Sequence, residues 1–77
     1  MEKFVEYIVK SLVDDKERVT VYSVRQGDLT SIHVKTAPGD LGKIIGISGR
    51  IAQSIRVLVA ARAAENAKNI KVCIDEQ

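Results

Sequence analysis

Gly42-Lys43-Ile44-Ile45-Gly46-Ile47-Ser48-Gly49-Arg50-Ile51 sets two glycines around two residues at the junction of two helical patterns. Pro38 suits the first position of a short helix running to about Ile45, because a proline there gives up no intrahelical hydrogen bond. Gly46 to Gly49 interrupts that pattern, and a longer helix resumes from about Arg50 to Ala67. Glycines at such a turn let a ligand approach the main chain, and the helix that follows offers free N–H groups and a positive dipole end to an anion.

Upstream, Phe4, Val5, Ile8, Val9 and Leu12 recur at helical spacing, predicting one amphipathic helix from Glu2 to about Val13. The charged connector Asp14-Asp15-Lys16-Glu17 leads to a β-branched run, Val19 to Val24. Gly27-Asp28 reads as a two-residue hairpin before Leu29 to Thr36. That turn opposes Val21 to Val34 and Ser23 to Ile32 on one face, with Val19 and Thr36. Thr20 with Lys35, Tyr22 with His33 and Val24 with Ser31 fall on the other, so one face is covered and the other is wet. Ile70, Val72 and Ile74 alternate with polar partners as a last strand. The order is αββααβ, an α+β arrangement.

The long helix carries two apolar stripes: Ile51, Ile55, Leu58 and Val59, and the smaller-residue set Val57, Ala60, Ala61 and Ala64. A helix on a sheet needs only one. The second is expected to pack against the N-terminal helix through Phe4 and Ile8. Ile44, Ile45, Ile51 and Ile55 are expected in the core.

Composition narrows the function. Seventy-seven residues build one domain with a thin core. Cys73 and His33 are the only residues of their kinds, so an internal disulfide, a His- or Cys-rich metal site and most nucleophilic constellations are excluded, and no cofactor or catalytic residue is assigned. The N-terminus does not read as a secretory signal, and Gln53, Ser54, Arg56 and Arg62 break the longest apolar stretch, so a membrane span is not expected and the cytoplasm is the default. No GxxxxGK[ST] run for a nucleotide phosphate is present.

Net charge is only +2, yet it is unevenly placed. Residues 1–17 hold three lysines against five acids, whereas residues 37–64 hold Lys43, Arg50, Arg56 and Arg62 against Asp40 alone. An anionic partner is expected on the second half.

On the opening Phe4-Val5-Glu6-Tyr7-Ile8-Val9-Lys10-Ser11-Leu12-Val13-Asp14, on Ala37-Pro38-Gly39-Asp40-Leu41-Gly42-Lys43-Ile44-Ile45-Gly46 and on Gly49-Arg50-Ile51-Ala52-Gln53-Ser54-Ile55-Arg56, the chain resembles type II KH domains. Over nearly its whole length it is similar to the small bacterial single-KH proteins of the KhpA (YlqC) family. The resemblance implies one KH domain over 1–77, a three-stranded mixed sheet covered on one face by helices, and non-enzymatic binding of single-stranded RNA as a post-transcriptional chaperone or adaptor. It implies that about four nucleotides are held between the GxxG loop and a strand edge. Its implied RNA-binding residues are Lys43, Gly46, Ile47, Ser48, Gly49 and Arg50. It also implies self-association, pairing with a second KH-containing protein of the KhpB or Jag type, and a link to bacterial cell elongation and division. The competing reading is a protein-interaction module with weak or partner-dependent RNA binding.

One departure stands out. Such loops usually carry a lysine or another polar or basic residue between the glycines; here the pair is Ile47 and Ser48, so only the Ser48 hydroxyl can donate from within the loop. Arg50 opposes the helix dipole, a cost that points to a phosphate, whereas Lys43 near a helix C-terminus is stabilised without a ligand. Arg50, Arg56 and Arg62 lie about 120° apart around the helix and cannot form one patch. Tyr22 and His33 read as part of a solvated sheet face, and Cys73 on the same face receives no reactive role.

Overall fold

The structure, a computed structural model, describes residues 1–75. Helix α1 spans Glu2–Leu12, strands β1 and β2 span Thr20–Gln26 and Leu29–Lys35, helix α2 spans Leu41–Ile45, helix α3 spans Arg50–Glu65, and strand β3 spans Asn69–Ile74. Single 3₁₀ turns occupy Lys16–Arg18 and Pro38–Asp40, and a tight turn at Ile47–Gly49 joins α2 to α3. Pro38 opens its turn as expected, and the regular α-helix begins only at Leu41.

The sheet order is β1-β2-β3, with β1 antiparallel and β3 parallel to β2. The hairpin register agrees with the sequence reading, Val21 opposite Val34, Tyr22 opposite His33 and Ser23 opposite Ile32. Gly27 takes φ 59° at the first central turn position, where a two-residue hairpin asks for glycine. Parallel pairing of β3 needs a crossover, and α2 with α3 supplies it across one face of the sheet.

The core lies between that face and the helices. Val5 and Val9 of α1, Ile32 and Val34 of β2, Ile44 of α2, Ile55 and Val59 of α3 and Val72 of β3 are all buried. Ile51 packs against this cluster from its margin, and Ile45 is half-buried, so two of the four expected core isoleucines sit at the rim.

The second stripe of α3 corrects the sequence reading. The buried line is Ala52, Ile55, Val59 and Ala63. Val57 is 58% exposed, Ala60, Ala61 and Ala64 are exposed as well, and Leu58, expected in the first stripe, is also 52% exposed. The reason is angular: at 100° per residue Val57 lies about 160° from Val59, so a helix with Val59 on the sheet turns Val57 to solvent. Helix α1 cannot reach that side because it spends its own apolar line, Val5 and Val9, on the core. It meets the flank of α3 instead, where the Arg62 guanidinium lies 4.7 Å from the Phe4 ring centroid.

Helix α3 also stops two residues short of the expected Ala67. Ala67 is left-handed at φ 52°, Ala67 N–H donates to Ala64 O and Lys68 N–H to Ala63 O, closing the helix with a Schellman-like turn. Among the described residues no single helix is long and apolar enough to cross a membrane.

Candidate nucleic-acid interface

The GxxG loop takes its shape from the end of α2 at Gly46 and a left-handed turn that follows it. Gly46 N–H donates to Gly42 O at 2.9 Å, ending α2. Gly46 then sits at φ 76°, ψ 179°, a region essentially reserved for glycine. A Cβ built there would stand 2.6 Å from Cγ1 of Ile51, because the first turn of α3 folds back onto the end of α2. Ser48 (φ 55°, ψ 28°) and Gly49 (φ 72°, ψ 15°) are both left-handed, and Arg50 N–H donates to Ile47 O. That is the pattern of a type I′ turn.

The turn pushes its two variable side chains outward. Ile47 is 86% exposed, and Ser48 is exposed beside it. No side chain caps α3 at Gly49, so the first-turn N–H groups lack a side-chain acceptor and the positive dipole end faces the loop. Arg50 projects from that first turn, exposed, and makes no described ion pair. Loop backbone, Ser48 and Arg50 therefore stand exposed at the N-terminal end of α3.

Lys43 is differently employed. Its ammonium donates to Asp14 on the connector after α1 and, at 3.3 Å, to Asp40. Asp40 is buried and also accepts Asp15 N–H at 2.9 Å. That N–H, with Lys43, holds the Asp40 carboxyl below its ordinary range, and the bond to Asp14 raises the Lys43 ammonium above its own. This clamp ties the start of α2 to the connector. The sequence offers Lys43 a dipole partner or a phosphate; the tertiary structure brings it Asp14 from the connector, beside Asp40 three residues before it.

Further along α3, a cleft of about 360 Å³ opens against β3, lined by Arg56, Ala60, Ile70, Lys71 and Val72. It begins nearly two helical turns beyond the loop. Arg56 Nε donates to Val72 O at 3.4 Å, so this carbonyl of β3 faces the open edge of the strand rather than β2. Aliphatic walls beside an open strand edge suit a flat base that also carries hydrogen-bonding groups. A larger cleft, about 540 Å³, lies at the hairpin end between Asp28 and Lys68, away from the loop. The sequence located the groove only as a strand edge. Its wall residues went unread, since which edge of β3 is open depends on the pairing of β2 with β3.

The three arginines of α3 are separated as their spacing requires: Arg50 at the loop, Arg56 at the β3 edge and Arg62 over Phe4. Among the described residues no group of three or more His, Cys, Asp or Glu side chains is placed to hold a metal.

The element order is that of a type II KH fold, and the family comparison agrees with it. A KhpA/KhpB KH-domain model matches residues 2–74. The chain belongs to the KhpA/KhpB KH-domain family. Its KhpA relatives include the RNA-binding protein KhpA of Caldanaerobacter subterraneus subsp. tengcongensis, 43% identical over 72 residues that cover 94% of this chain and 96% of that one. The RNA-binding protein KhpA of Clostridium perfringens matches to the same extent. That of Chlamydia trachomatis is 45% identical over 76 residues, covering 97% of this chain and 94% of its own. No solved structure matches at a significant level.

Proposed function

We propose that this chain, acting over 1–77 as one KH domain, binds single-stranded RNA in the cytoplasm and serves as a post-transcriptional chaperone or adaptor without catalysis. The observation that carries the reading is the left-handed turn at Ser48 and Gly49, which leads straight into an uncapped helix N-terminus beside an exposed arginine. Phosphates lie over Gly46, Ile47, Ser48 and Gly49 and meet Arg50, while bases enter the cleft along Arg56, Ala60 and the β3 edge. Lys43 joins them by exchanging Asp14 for a phosphate. Kinship with RNA-binding KhpA proteins supports the same reading.

With Ile47 in the loop, binding leans on backbone and dipole more than on side-chain charge. About three phosphates are neutralised, so log K falls against log salt with a slope near −2. The test is fluorescence anisotropy of a short mixed-sequence RNA at two salt concentrations, with wild type and Ile47→Asp/Ser48→Asp. The expected result is at least a tenfold loss in a variant that circular dichroism shows to be folded. Equal binding by both proteins would move the RNA site off the loop.

The exposure of Val57 and Leu58 favours a second reading, in which the outer face of α3 pairs with a second copy or with a KhpB- or Jag-type KH protein, and RNA binding depends on that partner. Such pairing would connect the chain to cell elongation and division. Sedimentation of Val57→Asp across concentration separates the two readings, since a wild type that stays monomeric removes self-pairing.

A further inference from the structure

The sheet face turned away from the helices is unassigned by the loop and groove reading. Its side chains follow from the register. Tyr22, His33 and Cys73 form a row across the three strands, with Lys35 one step to one side and Ser31 and Lys71 one step to the other. The Tyr22 and His33 rings are stacked, centroids 4.9 Å apart and planes 8° from parallel. His33 covers one face of the tyrosine. β1 is an edge strand, so no neighbouring strand covers the other, and Tyr22 stays 40% exposed.

The charge around the rings is mostly positive, with Asp75 the described exception. Lys35 and Lys71 are exposed, and neither makes a described ion pair. Asp75, the carboxylate described beside the row, lies 3.6 Å from His33 Nδ1. Lys71 also lines the α3–β3 cleft, so the face and the groove share a side chain across the β3 edge. Aromatic rings flanked by exposed lysines are the chemistry that holds single strands with little sequence preference, bases on rings and phosphates on lysines.

We infer that the open sheet face is a second contact for single-stranded RNA: a strand leaving the groove passes Lys71, crosses the sheet and stacks a base on the free face of Tyr22, with a phosphate at Lys35. The inference rests on RNA binding through the loop and lengthens its footprint beyond the roughly four nucleotides a GxxG groove holds. A protein partner on this face is the rival, and the test reports it separately.

The experiment compares a labelled four-nucleotide RNA with a ten-nucleotide RNA of the same composition. The proteins are wild type, Tyr22→Thr, which keeps a β-branched residue in the strand, and Lys35→Gln/Lys71→Gln, which keeps the rings. Wild type is expected to bind the longer RNA about tenfold more tightly than the shorter. Tyr22→Thr should lose most of that gain, since one stacked base is worth about five-fold or more, while binding the short RNA as wild type does. The lysine variant should flatten the salt slope for the longer RNA by about 1.4. Because the chain has no tryptophan and two tyrosines, Tyr7→Phe leaves Tyr22 as the sole emitter, and its fluorescence should be quenched by the longer RNA only.

A short RNA that binds, with no gain from length or a gain that survives Tyr22→Thr, overturns the sheet-face site and leaves the loop reading standing. No binding of either RNA by wild type overturns both. A change in sedimentation of Tyr22→Thr, with RNA affinity untouched, overturns the inference in favour of a protein contact.

Discussion

Replacing Gly46 by alanine is the sharpest probe of the loop, because two separate costs meet at that residue. The backbone cost comes from φ 76°, ψ 179°, a conformation worth about 1–3 kcal/mol of strain in a residue with a Cβ. The packing cost comes from Ile51, whose Cγ1, Cδ1 and Cβ would lie 2.6, 2.9 and 3.0 Å from the new methyl. A rotamer change cannot remove the Cβ contact, so the first turn of α3 must shift. Overpacking of this kind costs about 1–3 kcal/mol. The two together give about 2–6 kcal/mol. Typical stability per residue implies a total of about 4–12 kcal/mol for 77 residues, so much or all of the fold is at stake.

Gly49→Ala is the internal control. Its φ is 72° and ψ 15°, but nothing lies within 4 Å of a built Cβ. Only the left-handed penalty applies, about 1–2 kcal/mol. Urea unfolding followed by circular dichroism should therefore rank Gly46→Ala below Gly49→Ala by about 1 kcal/mol or more. A cycle with Ile51→Ala, which removes Cγ1 and Cδ1, should recover at least about 1 kcal/mol of the Gly46→Ala loss. Equal losses at the two glycines, or a cycle additive within about 0.5 kcal/mol, would refute the claim that α3 folds back onto Gly46.

Three further outcomes follow from particular contacts. Ala67 pays the left-handed penalty where helices usually end in glycine, so Ala67→Gly should raise stability by about 0.5–1 kcal/mol in the same urea assay. The Asp40 carboxyl is held below its ordinary 3.8, so its contribution is full above that pH and is lost as pH falls through the folded-state value; acid unfolding of Asp40→Asn should show a flatter stability-versus-pH curve there than wild type. Asp14 is an exposed competitor for Lys43, and Asp14→Asn should tighten RNA binding about two- to five-fold at low salt, an effect that anisotropy at high salt should find erased.

The hairpin register was legible because side chains alternate with period two and a glycine-first two-residue turn leaves little choice of pairing. Tyr22 opposite His33 needed no tertiary information. The glycine pair was equally legible as a turn, but that Gly46 is needed for contact with Ile51, and Gly49 for its φ, depends on how α3 packs against α2. The Lys43 clamp was illegible for a related reason. Asp14 lies 29 residues away, and no local pattern joins the two.

The sequence by itself determined the element order, the two-faced hairpin, the exclusion of internal disulfide and histidine-rich metal chemistry, and the GxxG turn between two helices. All of these follow from local periodicity, turn residues and composition. Tertiary structure alone decided which stripe of α3 meets the sheet, which edge of β3 stays open, and which cation is free. Among the described residues Arg50 makes no ion pair at the loop, whereas Lys43 is held by Asp14 and Asp40. Two apolar stripes on one helix are equivalent to a periodicity count; they become different only when one sheet, with one face already filled by Val5, Val9 and Ile44, has room for a single line of side chains.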